Sequence, residues 1–173
     1  MFAKPQAKIQ PGYTGDQQVF SVAGVLLEFL TSPNEVRDAI CFIRGTIPPG
    51  VVLPLHSHAD PELVYVLEGA LEVFRSNLGS NEWTTVGQGK LIAIPGSVKH
   101  ALRNSSSGPV KLAVVTKSEL YEFFRAVAKP FDPNQSPAPP TPEGTEALFQ
   151  IAAKYGYWIA SPEENAAIGL SIT

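Results

Sequence analysis

Four side chains in this sequence have types and spacing that could do chemistry: His56, His58, Glu62 and His100. Three imidazoles and one carboxylate form a mixed nitrogen and oxygen set suited to a divalent transition ion. In an octahedral shell, four protein ligands leave two positions open for reacting molecules. His56 and His58 are separated by one residue, so on a strand their rings point to the same side. Glu62 follows four residues after His58, across the turn-prone Ala59, Asp60 and Pro61, and can bring its carboxylate back to that side. A histidine pair of this spacing also occurs on exposed strands, hydrated or hydrogen-bonded and without a metal, so the pair needs its surroundings. Gly50 and Gly69 bracket the first three residues with turns, while Gly89 and Pro95 precede His100, which shares a face with Leu102 and Asn104.

The elements that must position these groups read as strands. From about Val19 to Thr116 the chain alternates short β-branched and aromatic runs with Gly, Pro and Asn, the pattern of an antiparallel sandwich or barrel. Expected strands are Val19–Ala23, Val25–Thr31, Ala39–Ile47, Leu63–Leu67, Ala70–Ser76, Trp83–Val86, Leu91–Ile94, His100–Asn104 and Val110–Thr116, with a hairpin loop at Asn77–Asn81. After Thr116 the period changes. Ser118 is the expected cap of a helix whose Leu120, Phe123, Phe124 and Val127 lie on one face. A proline-rich connector runs from Pro130 to Pro142. Thr141 with Pro142 opens a second helix that stops at Gly156, and Ser161, Pro162 and Glu164 open a third. The chain thus divides into a β-barrel with N-terminal strands over residues 1–117 and a helical extension over 118–173, expected to pack on the barrel.

The stretch from Gly50 to Gly69, GVVLPLHSHADPELVYVLEG, runs glycine, five residues, His, one residue, His, three residues, Glu, six residues, glycine. In this it resembles the first motif of the cupin superfamily. Gly89 to Asn104, GKLIAIPGSVKHALRN, is similar to the second, except that Ser97 stands where that motif has glycine, with Gly96 one step earlier. The resemblance implies an all-β fold, a double-stranded β-helix or jelly-roll barrel, with the helices as a C-terminal addition. It also implies that His56, His58, Glu62 and His100 ligate one divalent metal ion in the barrel mouth. Iron or manganese is expected first, and nickel, cobalt, copper and zinc are open to the same ligands. The tail, with its aromatic pair, proline-rich connector and Tyr155-Gly156 helix end, resembles those of bacterial cupins similar to quercetin dioxygenases.

Beside the ligands, Val64 shares the side of Glu62 and Leu102 that of His100, so an apolar pocket wall is expected. Phe123 and Phe124 are candidates to close the mouth as substrate contacts, or to cover a sheet edge. Arg44, Tyr65, Arg75 and Arg103 read as surface or edge-strand residues. The implied activity is oxygenation of a small phenolic or enolic molecule ionised at the metal, with Glu62 able to accept its proton. The alternatives are a metal-dependent isomerase, lyase or decarboxylase that consumes no oxygen, and a small-ligand-binding cupin that does not catalyse.

Composition narrows the partners. With 44% hydrophobic and 17% charged residues the 173-residue chain has apolar surface to bury. Lys and Arg total 13 against 16 Asp and Glu, a net charge of −3 without a basic block, so nucleic acid is not an expected partner. No apolar run is long enough to cross a bilayer, and Cys41 lies between Ile40 and Phe42 as a small buried residue. The expected protein is cytoplasmic. Both faces of Leu63–Leu67 are apolar, so the outward face is expected to be covered by another strand, by the C-terminal helices or by a second subunit, and the resemblance to cupins implies a homodimer.

Overall fold

The computed structural model describes residues 18–31, 40–76, 82–132, 134 and 141–172. The expected hairpin loop at Asn77–Asn81 and most of the proline-rich connector lie outside these residues.

Alternation of inward and outward side chains builds the barrel. The first three strands are β1 (Phe20–Val22), β2 (Val25–Phe29) and β3 (Ile40–Ile47), and the metal-motif region supplies β4 (Val52–Ser57) and β5 (Glu62–Glu68). They are followed by β6 (Ala70–Arg75), β7 (Trp83–Gly87), β8 (Leu91–Ile94), β9 (His100–Arg103) and β10 (Val110–Lys117). The tail contributes α1 (Ser118–Val127), β11 (Lys129–Pro130), α2 (Pro142–Lys154), β12 (Trp158–Ile159) and α3 (Pro162–Ala167). On β5, Glu62, Val64 and Val66 are buried while Leu63, Tyr65 and Leu67 are exposed. On β3, Cys41, Ile43 and Ile47 are buried in the same way.

All strand pairs are antiparallel and fall into two sheets. The larger has the order β11-β1-β2-β3-β10-β5-β8 and the smaller β12-β4-β9-β6-β7. Their facing sides share one apolar core around Ile43, Val64, Val66, Leu71, Val73, Ile94 and Val110. This is a two-sheet antiparallel barrel, mostly β, with its helices at the C-terminal end, the fold that the resemblance implies.

Three elements depart from the expected pattern. β4, which carries His56, was not among the expected strands. It includes Pro54, and its pairing with β9 slips between Leu53 and His56, so an irregular stretch accommodates the residue that cannot donate to a ladder. β11 and β12 are two-residue strands of the tail that extend an edge of each sheet. The expected cap of α1 is also corrected: Ser118 is the first helical residue, and the N-cap Lys117 makes no side-chain cap. Instead the buried Asp60 accepts a hydrogen bond from the Leu120 N–H at 3.0 Å, because its loop meets the start of α1. The caps of α2 by Thr141 and of α3 by the Ser161–Glu164 box match the sequence.

Candidate metal centre

His56 lies near the end of β4, paired with His100 on β9, and so the two rings start from neighbouring strands. β4 ends at Ser57, and His58 follows in the loop rather than on the same strand as His56. That loop is fixed from outside. Ser97 donates its N–H to the His58 carbonyl at 2.7 Å, and a Cβ on Gly96 would stand 2.1 Å from the Ala59 carbonyl oxygen. Only glycine lets the two loops approach this closely. Ser97 itself takes φ +65°, a left-handed turn that glycine adopts freely, so the serine keeps the bend despite its side chain.

The geometry brings together the four side chains named from the sequence. Ligand atoms of His56, His58 and His100 all lie within 4.8 Å of one another. Glu62 Oε2 is 3.5 Å from His100 Nε2 and 3.9 Å from His58 Nε2. Each ring's Nδ1 faces a backbone carbonyl: Pro54 at 2.7 Å for His56, Asp60 at 2.7 Å for His58 and Val98 at 2.8 Å for His100. Since a carbonyl only accepts, Nδ1 carries the proton and Nε2 keeps its lone pair. The Nε2 atoms of His58 and His100 are buried without a hydrogen-bond partner.

Electrostatics preserve this arrangement. Burial, with His100 adding to it, lowers the His56 pKa to about 3, and burial also lowers that of His58. Burial alone would raise Glu62, but the surrounding imidazoles, His100 first, outweigh it and hold Glu62 at about 2. Three imidazoles and a carboxylate thus converge on one buried point. Such a set fits a divalent cation, with the Nδ1 contacts orienting the ligands.

A cavity of about 140 Å³ opens from the centre and runs between the sheets toward α1 and α2. Val64, Leu102, Phe123 and Phe124, the four residues expected as pocket wall, line it together with His56, His58 and Glu62. Arg44, Arg75 and Arg103 do not line it. Arg44 and Arg103 pair with Glu28 and Glu72, and Arg75 donates to the Ala93 carbonyl. Tyr65 is exposed on the outer face of β5.

Sequence reasoning named Phe123 and Phe124 of α1 but missed the part of the wall supplied by the tail beyond that helix. Leu148, Phe149, Ala152, Tyr157 and Ile159 line the cavity, and Tyr157 is its one hydroxyl-bearing residue among those described. β12 pairs Ile159 with His56 and Trp158 with Ser57, which carries Tyr157 beside the metal strand. The sole local signal is a run of aromatic residues after the Gly156 helix stop.

Comparison with known proteins gives concordant results. Residues 43–116 match the Cupin domain family, a stretch containing all four candidate ligands. Germin-like protein 3-7 of Oryza sativa subsp. japonica is 37% identical over 79 residues, 44% of this chain and 34% of that protein. The chain thus spans about a third of the length of the curated relative it matches. The polyketide cyclase RemF of Streptomyces resistomycificus superposes with TM-score 0.55 at 20% identity, covering 64% of this chain and 80% of that one. A predicted oxalate decarboxylase of Thermotoga maritima gives TM-score 0.55 at 16% identity, covering 62% and 98%. At these identities the structures share the fold. The matched segment and the barrel together support placing residues 43–116 in the cupin superfamily.

Proposed function

We propose that the protein is a mononuclear metal-dependent oxygenase, similar to the quercetin dioxygenase-like cupins, acting on a small phenolic or enolic molecule as a homodimer. The observation that carries the reading is a buried set of three imidazoles and a carboxylate at the end of a cavity whose other walls are almost wholly apolar. Iron or manganese held by His56, His58, His100 and Glu62 would supply Lewis acidity and open coordination positions. The chain's own residues do the rest. Val64, Leu102, Phe123 and Phe124 exclude water from the reacting end, which strengthens electrostatic contacts there. A bound cation would raise the acidity of a phenol or enol, and Glu62 Oε2 is the carboxylate placed to take that proton. Among the described residues no Lys or Arg lines the cavity, so a small dicarboxylate finds no side-chain counter-charge.

A second reading is favoured by Glu62 standing as a buried base beside the imidazoles: proton transfer on an enolisable substrate, as in an isomerase, lyase or decarboxylase, consumes no oxygen. The test has two stages. Metal content per chain is measured for the native protein, His58→Ala and Glu62→Gln, with near-stoichiometric iron or manganese expected in the first and loss in both variants. Oxygen uptake is then followed with phenols and β-diketones. Uptake that tracks substrate loss supports the oxygenase. Turnover without uptake supports the second reading, and a native protein that stays empty after reconstitution overturns both.

A further inference from the structure

The cavity has a polar point that the candidate ligands do not use. Tyr157 follows the Gly156 turn and precedes β12, with its ring 5.5 Å from His58 and 4.8 Å from Phe123. Its hydroxyl oxygen is buried and has no hydrogen-bond partner in the protein. A buried donor without a partner is costly, and folded proteins retain few of them.

The remaining polar groups of the wall cannot play that part. The imidazoles have their Nδ1 atoms committed to backbone carbonyls, and the Glu62 carboxyl faces His58 and His100. Among the described residues lining the cavity, Tyr157 is therefore the donor free to meet a ligand. We infer that Tyr157 donates a hydrogen bond to an acceptor oxygen of the bound molecule, selecting uncharged, apolar-bodied ligands that carry a carbonyl or phenol oxygen. This rests on reading the cavity as the ligand site, and it assigns the C-terminal extension a direct part in specificity.

Two compounds of the same shape test it: acetophenone, which carries the acceptor oxygen, and α-methylstyrene, in which a CH₂ replaces it. Binding of each is measured by calorimetry to the full chain, native and Tyr157→Phe, both metal-free and loaded with zinc. The native protein should prefer the ketone in the metal-free state too, because no other donor is on offer there. In Tyr157→Phe, ketone affinity should fall about tenfold, the alkene should be unaffected, and zinc content and melting temperature should be maintained. Equal ketone affinity in the two proteins overturns the inference, as does an equal loss for both compounds, which would mark a structural role. Absence of ketone preference in the metal-free native protein overturns it without any variant. If the native protein binds neither compound in either state, the ligand-site reading itself fails and takes the inference with it.

Discussion

At the scale of single residues, the site is governed by where three protons sit. Nδ1 of His56, His58 and His100 is tied to carbonyls, and at His56 and His58 burial opposes a second proton, so there the folded chain resists the charge that the unfolded chain accepts. The pH dependence of stability follows. Above the ordinary histidine value of 6.5, His56 and His58 are neutral in both states and contribute no slope. As pH falls below it, the unfolded chain takes up protons that folded His56 refuses until about 3, so stability declines by up to about 1.4 kcal/mol per pH unit for such a residue. His58, lowered in the same direction, adds to this. Glu62 acts with the same sign over a lower window: its stabilisation is present above 4.5 and is lost as pH falls through its folded value of about 2. The metal-free protein should therefore lose melting temperature steadily on acidification below neutrality, and His56→Asn should flatten that decline. A native protein with constant melting temperature from pH 7 to about 4 would contradict the assigned protonation states. His56, His58 and Glu62 were legible because they lie within seven residues of one another, and His100 because its motif resembles the second one of a known family. Tyr157 was not, because its place beside His58 depends on a strand pairing a hundred residues away in sequence, roughly the reach of the whole barrel.

At the scale of elements, the tail and the metal loops are built as one unit. β12 extends the smaller sheet against β4, and the buried Asn165 of α3 accepts from the Leu55 N–H at 2.8 Å while donating to the Ala160 and Ser161 carbonyls. The strand bearing His56 is thus held on both sides, by β9 and by the tail. Asp60 ties the other loop to α1 through Leu120. Asp60→Ala removes the acceptor for that buried N–H and should cost about 1–2 kcal/mol, read as a lower denaturation midpoint. Because the same loop carries His58, metal affinity should fall as well, whereas Asp60→Asn, which keeps an acceptor oxygen, should recover most of both. Loss of stability with unchanged metal affinity would mean that α1 is capped independently of the site. The strands of the barrel could be read from alternation, as on β5 and β3, since each repeats its pattern over several residues. β4 could not, because Pro48, Pro49 and Pro54 give it the composition of a loop and its regularity comes only from its neighbours β9 and β12. The α1 cap was misread for a related reason: a serine at the right place in sequence is displaced by a carboxylate that only the fold brings near.

At the scale of the whole molecule, the outer face of the larger sheet sets the remaining prediction. Ile40, Phe42, Leu63, Tyr65, Leu67 and Leu91 are large apolar side chains exposed to between 38% and 59%. The strand register makes them neighbours: Val115 lies opposite both Phe42 and Leu63, and Ala113 opposite Tyr65, which in turn pairs with Leu91. Among the described residues the tail lines the cavity and these side chains stay exposed, with the exposed Lys111–Glu68 pair beside them. A contiguous apolar face of this kind is unusual on a monomer and fits the proposed homodimer, whose interface would repeat the same patch on each copy. Leu63 and Glu62 are adjacent in sequence but point to opposite faces of β5, so association and metal binding should be separable. Leu63→Lys combined with Leu91→Lys should convert a dimer to a monomer in light scattering while leaving metal content at the native level. A native protein that is monomeric at micromolar concentration would remove the homodimer from the proposal. Loss of metal along with the dimer would instead mean that β5 depends on the second copy to hold Glu62 in place.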